Sequence, residues 1–375
     1  MKGAKGAMER SYLRPKQRRQ LLTLLKALVD SDAIMPEDVP PILLQLLPSP
    51  RVPVVALPLL PRLQTLGDDD FASKFRFRSF ACLRSLHAAL QLQDEFIHPT
   101  TRNRFDSLEL LAVLLQRFAF PTRLPDLREW TGWSEAKLSS GISLLVSHLF
   151  DRFHERVEFC SPLFAPDCLP HYAAAVQAKG CPLAGVVGFI DGTVKRVCRP
   201  QGNIRQEVMF SGHKRYHALK FQSVVLPCGL IASFQGPYVG SRHDAGILHR
   251  SALVTRLEEK LPAGFKIFGD SAYPLSRVIF RSPRVPPQGG PLADFSRAMS
   301  KVRQSVEWPF GHMYSLFAHL DRWKGLKVMK SHVAKEFVVG CLLYNCYVCM
   351  YGSTVSTYFD SSPPSLEHYL SSPLE

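Results

Sequence analysis

The chain has 375 residues, 46% of them hydrophobic, which is enough for a large domain together with a smaller one. Lys and Arg total 46 against 32 acidic residues, and this net charge of +14 favours a polyanionic partner, either nucleic acid or an anionic membrane surface. The sequence contains no run of about 18 uninterrupted apolar residues, so we do not expect a membrane span. The basic N-terminus lacks the apolar stretch of a secretory signal.

The chain begins with a basic stretch, residues 1–20, that holds seven Lys or Arg residues and one Glu. We expect a solvated, disordered arm here. Its "RPKQRR" run, Arg14 to Arg19, has the composition of a nuclear import signal, which favours a nuclear location, with a cytoplasmic one as the alternative. Residues 21–100 alternate leucine-rich pieces with prolines, which predicts a region of short helices and linkers.

Residues 101–160 have a helical pattern. The segment "DSLELLAVLLQRFAF" places a capping residue, Asp106, ahead of an apolar helical stripe. The next segment predicts a short helix, a turn at Gly132 and a long helix capped by Ser134. Such a group is typical of a helix-turn-helix domain, and a helical bundle that packs on the next domain is the alternative.

Residues 183–352 predict an α/β domain. "GVVGFID" is a buried strand pattern, and two more strand patterns follow on either side of a Pro-Cys-Gly turn. A helix, a strand that ends in "FGD" and the long helical segment "FSRAMSKVRQSVEWPFGHMYSLF" complete the order. We therefore expect a mixed sheet flanked by helices, and we assign residues 353–375 to a C-terminal tail.

The apolar run that begins at Phe337 contains a CxxC pair, Cys346 and Cys349. No second CxxC completes a zinc site, so we expect buried core cysteines. The nine cysteines of the chain are odd in number and irregularly spaced, which is typical of reduced thiols in an intracellular compartment.

Three acidic residues stand out in the α/β region. Asp191 and Asp270 each end a short apolar strand, so we expect both at the same edge of the sheet. Glu307 lies on the long helix, with Arg303 one turn before it and Gly311, which permits close approach, one turn after it. The side of this helix expected to face the sheet is apolar: Val302, Val306, Met313 and Phe317.

Three converging carboxylates repel one another, and a hard divalent cation, Mg²⁺ or Mn²⁺, relieves that repulsion. Two such ions about 3.5–4 Å apart would activate a water and stabilise a leaving oxygen in phosphodiester cleavage. Each acid also has a structural interpretation. Asp191 precedes a glycine, as in a hairpin turn; Asp270 fits a helix cap; and Glu307 fits an ion pair with Arg303.

Several motifs in this region resemble PIF/Harbinger-type transposases and the domesticated nucleases derived from them. The matching pieces, in order, are "DGT", "FSGHKRYHALKFQSVVLPCGLI", "GSRHDAGIL", "GDSAY" and "RQSVEWPFG". They cover roughly residues 185–328, and the helical region from Asp106 is similar to the helix-turn-helix segment of the family. Residues 1–100 contribute nothing to the resemblance.

The resemblance implies an RNase H-like catalytic domain with a triad of Asp191, Asp270 and Glu307 as catalytic residues and metal ligands. It implies an auxiliary role near the metal for Asp244 of "SRHDAG", and a Myb-like DNA-binding protein as a partner. Two positions depart from the family pattern. Pro309 follows Glu307 by two residues, where proline removes a helical hydrogen bond and kinks the helix. A basic residue that the family has one or two turns after the Glu is replaced around Tyr314.

Basic residues cluster around the acids and suit contacts with phosphates. We predict nucleic-acid contacts for ten residues: Lys195, Arg196, Lys214, Arg215, Lys220, Arg242, His243, Arg303, Arg322 and Lys324. The leading hypothesis is a metal-dependent DNA endonuclease or transposase of the DDE type, with strand transfer as a further activity. A catalytically silent, domesticated DNA-binding protein is the alternative. DNA is the expected partner, a homo-oligomer is compatible with either hypothesis, and no membrane contact is expected.

Overall fold

The computed structural model describes residues 15–39, 58–283, 289–328 and 331–371. The chain divides into two units, residues 1–56 and 57–375. In the first unit, helix α1 spans Pro15–Asp30 and a 3₁₀ turn spans Pro36–Asp38. Helix α1 begins within the predicted basic arm, and residues 1–14 of that arm lie outside the described part of the chain.

The second unit begins with short helices and a small hairpin. These elements are α2 (Leu59–Gln64), α3 (Asp68–Phe75), α4 (Phe80–Ala89), β1 (Glu95–Ile97) and β2 (Arg104–Asp106). Strands β1 and β2 pair antiparallel. Helices are thus the main element here, as the Pro/Leu-rich pattern predicts, and the hairpin was not expected.

Three helices follow: α5 (Ser107–Ala119), α6 (Leu124–Thr131) and α7 (Glu135–Glu158). The predicted caps are confirmed. The Asp106 side chain accepts a hydrogen bond from the Glu109 amide, and the Ser134 side chain accepts one from the Lys137 amide. Gly132 ends α6 with φ of 74°, a left-handed conformation that suits glycine.

Helix α7 belongs to the same core as the sheet that follows. It packs against the edge strand β6 (Ile231–Val239) and against the long helix α14 (Val333–Tyr351). This packing corresponds to the alternative interpretation of the helical region, a bundle on the next domain, and a helix-turn-helix role stays a prediction. Helix α8 (Leu169–Ala178) then leads to the sheet and packs on its first long strand.

The central sheet is mixed, as predicted. Its order is β6–β5–β3–β7–β8, with short β4 pairing to the end of β5. Strands β3, β5 and β6 are antiparallel neighbours, whereas β7 and β8 run parallel to β3. The remaining strands of the sheet are β3 (Val186–Arg196), β4 (Phe210–Ser211), β5 (Tyr216–Val225), β7 (Lys266–Gly269) and β8 (Ile279–Arg281).

Helices between the strands are short. They are α9 (Asn203–Met209), α10 (Asp244–Arg250) and α11 (Leu253–Lys260). After the sheet, the predicted long helix is divided into α12 (Gly290–Arg303), a 3₁₀ turn (Gln304–Val306) and α13 (Trp308–Leu316). The break agrees with Pro309, which occupies the first turn of α13, where proline is tolerated.

Helix α14 is a core helix of the second unit. Among the described residues it is the one helix long and apolar enough to span a membrane, yet it packs on β6 and α7 and most of its residues are buried. Cys346 is fully buried in it, as expected for a core cysteine. Buried Asn345 accepts a hydrogen bond from the Ile231 amide (3.0 Å) and donates to the Ile231 carbonyl (2.9 Å).

The predicted C-terminal tail contains two helices, α15 (Thr354–Phe359) and α16 (Leu366–Ser371). The side chain of Tyr369 is buried, and its hydroxyl accepts a hydrogen bond from Asn345 at 2.9 Å. The segment therefore packs into the core rather than leaving it, because its apolar residues have a helical spacing that the assignment to a tail overlooked.

Candidate metal and nucleic-acid site

Asp191 lies within a strand rather than at its end. Strand β3 continues for five residues beyond it, and Gly192 pairs with Gln222 of β5 in the antiparallel ladder. The expectation that Asp191 ends its strand was wrong, and so is the hairpin-turn interpretation of Asp-Gly. Pairing with the long strand β5 outweighs the local turn preference of this dipeptide.

Asp270 comes beside Asp191 because of the sheet register. Phe189 pairs with Phe268 in the parallel ladder, and each aspartate lies two residues further along the chain, Asp191 within β3 and Asp270 directly after β7. Neighbouring strands are about 4.8 Å apart, so the two carboxylates share one side of one edge. The Asp270 side chain accepts a hydrogen bond from the Ala272 amide at 2.9 Å, which fixes the turn after β7.

Glu307 lies at the break between the 3₁₀ turn and α13, with an exposed side chain. The stripe of Val302, Val306, Met313 and Phe317 is buried, as predicted. The argument from Gly311 was wrong, because a Cβ added there would meet nothing within 4 Å. Glu307 therefore owes its position to the buried stripe and not to a close approach at the glycine.

Arg303 forms an ion pair with Asp191, at 3.7 Å between Nη1 and Oδ1, and not with Glu307. Burial raises the pKa of Asp191 to about 6. The Arg303 charge opposes this rise in the pKa, and the negative charges of Asp270 and Glu307 add to it. The charges of Asp270 and Glu307 thus both act on Asp191, and the positive charge of Arg303 offsets part of the repulsion.

Asp244 contacts the backbone beside Asp191. A Cβ added at Gly192 would lie 3.0 Å from the carboxyl carbon of Asp244, so glycine is what allows this approach. Lys220 Nζ lies 3.7 Å from Asp244 Oδ1 and donates a hydrogen bond to the Arg242 carbonyl. The structure therefore brings Asp244 next to the predicted triad.

Tyr273, which the sequence prediction did not include, lies beneath the acids. Its side chain is fully buried, and its hydroxyl is 3.4 Å from Nε2 of buried Gln222. Burial raises the pKa of Tyr273 well above its usual value, and the charges of Asp244 and Asp191 raise it further. The hydroxyl therefore stays protonated. The tyrosine of "GDSAY", three residues after Asp270, was the available signal.

The predicted phosphate-binding residues differ in solvent exposure and in whether they already form ion pairs. Exposed side chains are found at Arg196, Lys214, Arg215, His243, Arg322 and Lys324. Lys220, Arg242 and Arg303 are partly buried, and Lys220 and Arg303 are engaged with Asp244 and Asp191. Lys195 differs from the prediction of an available phosphate contact. Its side chain is only 2% exposed, and its Nζ lies 5.3 Å from the Tyr314 ring centroid. Burial lowers the pKa of Lys195 to about 8.

The donor set suits a hard divalent cation, because carboxylate oxygens are its preferred ligands. Asp191 and Asp270 are neighbours by register, and Glu307 is close enough for its charge to act on Asp191. In the described part of the chain, no three acidic, His or Cys side chains stand close enough together to hold a metal as they are placed. A bound metal would therefore require the carboxylates to draw together and the Arg303 pair to open.

Comparisons with known proteins find one family and several curated proteins that are similar to this chain. Residues 190–345 match the sequence model of the family described as "DDE superfamily endonuclease", a range that contains all four acids. The chain is 24% identical over 260 residues to "Putative nuclease HARBI1" of Mus musculus, a match that covers 66% of this chain and 69% of that protein. The same protein of Homo sapiens is also 24% identical, and that of Rattus norvegicus is 23% identical, over the same shares.

No solved structure matches the chain. The family match and the curated relatives are consistent with the motifs that resemble Harbinger elements. Residues 190–345 are therefore similar to the DDE superfamily endonucleases, and the chain is similar to a Harbinger transposase-derived nuclease.

Proposed function

We propose that this protein is a divalent-metal-dependent DNA endonuclease that hydrolyses phosphodiester bonds, with Asp191, Asp270 and Glu307 as its catalytic acids on an RNase H-like domain. One observation carries the proposal. The parallel register of β3 and β7 sets Asp191 beside Asp270, and the charge of Glu307 acts on the same carboxylate. The family match, which spans all of these residues, supports it.

Asp191, Asp270 and Glu307 would hold the metal, Mg²⁺ or Mn²⁺, and Asp244 would act as an auxiliary residue next to it. Bound there, the metal would supply Lewis-acid activation of water and of the leaving oxygen. Arg303 pairs with Asp191 in the metal-free site, and it would be free to contact a DNA phosphate if the acids held a metal. Lys220 fixes the position of Asp244, and the protonated hydroxyl of Tyr273 supports the aspartates from below.

The substrate in this proposal is DNA, bound through phosphate contacts by the exposed basic residues. A net charge of +14 supports a polyanionic substrate. We also propose a nuclear location, a Myb-like DNA-binding partner and a helix-turn-helix role for α6 and α7. These three extensions rest on the basic N-terminal stretch and on the resemblance to the Harbinger family.

Nicking of a supercoiled plasmid in Mn²⁺ or Mg²⁺ tests the proposal. We expect wild-type protein to nick the plasmid, and Asp191→Asn, Asp270→Asn and Glu307→Gln to lose this activity while DNA binding persists. Asp244→Asn should retain part of the activity because it lies beside the triad. Wild-type-level nicking by Asp270→Asn would exclude the assigned triad, and loss of binding together with nicking would indicate a folding role for the acids.

A second function, a catalytically silent DNA-binding protein, is favoured by one observation. Asp191 already has a cationic partner in Arg303, and the described acids are not gathered into a metal-binding group. Calorimetric titration of the purified protein with Mn²⁺ separates the two functions. Saturable binding that Asp191→Asn abolishes supports the nuclease, whereas no binding in the wild type supports the silent protein.

A further inference from the structure

A cavity of about 240 Å³ opens at the end of β3 that is remote from Asp191. Three cationic side chains line it, Arg199, Arg205 and Lys327, and none of its described lining residues is acidic. All three side chains are exposed at its rim, and none of them forms an ion pair with any residue that the structure describes. Like charges gathered without a carboxylate repel one another, and an anion relieves this repulsion.

The cavity is built from two segments that are fixed to each other. The Cys198 amide donates a hydrogen bond to the Leu326 carbonyl at 3.0 Å, which joins the loop after β3 to the segment after α13. Gln206 fixes Arg199, because its Oε1 accepts hydrogen bonds from Nε (2.8 Å) and Nη2 (2.6 Å). Gln206 Nε2 also donates to the Pro200 carbonyl at 3.0 Å, which closes the loop.

Arg196 lies two residues before Cys198 of the cavity lining, and its guanidinium contacts two aromatic rings. Its guanidinium carbon lies 3.8 Å from the Trp323 ring centroid and 5.0 Å from that of Tyr216. Contact with two rings restricts the guanidinium while the side chain stays exposed. An exposed guanidinium fixed in this way loses little side-chain entropy when it binds a phosphate.

We propose that this basic cavity, lined by Arg199, Arg205 and Lys327, binds the phosphodiester backbone of the DNA substrate at a distance from the acidic site. The inference rests on the proposed function, since it assumes that the polyanion is DNA. Five residues of strand separate Asp191 from Arg196, which is about 17 Å. The cavity lies beyond Arg196, and phosphates of one DNA strand advance about 3.4 Å per base pair, so a duplex bound at the acids would reach the cavity more than about five base pairs away.

The salt dependence of DNA binding tests this role. Each phosphate contact contributes about 0.9 to the slope of log affinity against log salt concentration on duplex DNA. Fluorescence anisotropy with a 20-base-pair duplex should therefore show a slope smaller by about 0.9 for Arg205→Ala and again for Lys327→Ala. Arg84→Ala, at an exposed arginine on α4, is the matched control and should leave the slope unchanged.

Free phosphate compounds are the alternative source of the anion. Calorimetric titration with ATP distinguishes them: tight ATP binding that Arg205→Ala removes, with no change in the DNA salt slope, would overturn the proposal. An unchanged slope in both variants relative to the control would overturn it as well. The two substitutions lie on separate segments, so a folding defect in one leaves the other informative.

Plasmid nicking separates this proposal from the nuclease function. Arg84→Ala should nick the plasmid as the wild type does, whereas Lys327→Ala should need a higher protein concentration to reach the same extent of nicking, because its cavity binds the substrate. If the wild type does not nick DNA but the slopes change as described, the nuclease proposal fails and the binding proposal stands. If the wild type nicks DNA and the slopes do not change, the nuclease proposal stands and the binding proposal fails.

Discussion

The guanidinium of Arg303 lies 3.7 Å from the carboxylate of Asp191, at the position where the proposed nuclease would need a metal. Only one helical turn separates Arg303 from Glu307, the third acid of the site. The protein therefore carries its own counter-ion within the metal site, and loading a divalent cation means exchanging one positive charge for another.

The Arg303 pair predicts a competition that can be measured without any cleavage. Arg303→Ala removes a charge that repels a divalent cation, so we expect Mn²⁺ to bind about tenfold more tightly at pH 8, roughly 1.4 kcal/mol. Calorimetry or electron paramagnetic resonance gives this affinity. Lys301→Ala, an exposed residue on the same helix, is the control. Weaker Mn²⁺ binding by Arg303→Ala would show that the arginine organises the site instead of competing for it.

The raised pKa of Asp191 predicts a pH-dependent penalty on folding. A buried carboxyl with a pKa of about 6 is protonated more readily in the folded state, so ionisation costs stability as the pH rises from about 4 to 6. Without metal, Asp191→Asn should be more stable than the wild type by about 1–3 kcal/mol above pH 7.

Urea denaturation at pH 4 and at pH 7.5 measures this difference in the free energy of unfolding. The advantage of Asp191→Asn should be mostly lost at pH 4, where the wild-type carboxyl is protonated in the folded state and partly protonated in the unfolded state. An equal difference at the two pH values would indicate a packing effect of the asparagine instead. Asp270→Asn serves as the comparison, since it removes a charge from the same edge of the sheet.

The contact between Gly192 and Asp244 predicts a strong coupling of two substitutions. Gly192→Ala should destabilise the protein by about 1–3 kcal/mol, because its Cβ would press on the Asp244 carboxyl group. In an Asp244→Ala background the same change should cost almost nothing, since the space is free. A double-mutant cycle of urea denaturation measures the coupling. If the free-energy costs of the two substitutions are additive, the backbone of β3, and not the contact with Asp244, requires glycine at position 192.

The hairpin tip between β4 and β5 predicts a sequence-independent contribution to DNA binding. Lys214 and Arg215 are both exposed there. Reversing both charges should lower affinity for every duplex tested by a similar factor, and wild-type binding should weaken steeply as salt rises. Filter binding with two unrelated duplexes checks this. A loss confined to one duplex would indicate base recognition, and affinity insensitive to salt would contradict the nucleic-acid proposal.

Local signals in the sequence predict the fold well where they act within a few residues. The caps at Asp106 and Ser134 and the glycine turn at Gly132 are confirmed. The order of the main strands is also as predicted, but α9, β4 and β8 were not expected. The break before α13 follows from Pro309, whose ring prevents a continuous helix.

Features set by distant contacts could not be predicted in this way. Strand β3 runs past Asp191 because a long partner strand pairs with it, and Lys195 is buried because α13 and α14 bring aromatic rings over it. The Arg303–Asp191 pair joins residues more than a hundred positions apart. For the site itself, the sequence predicts that the carboxylates lie near one another but not the Arg303 cation that pairs with Asp191.

Asn345 has a consequence for the behaviour of the protein in concentrated solution. Strand β6 is an edge of the sheet, and an exposed edge can pair with a strand of another copy, which leads to aggregation. The Asn345 amide uses the N–H and the C=O of Ile231, so it occupies the groups that an incoming strand would need at that point. Burial of this edge by α14 and α7 thus protects the monomer from assembling through β6.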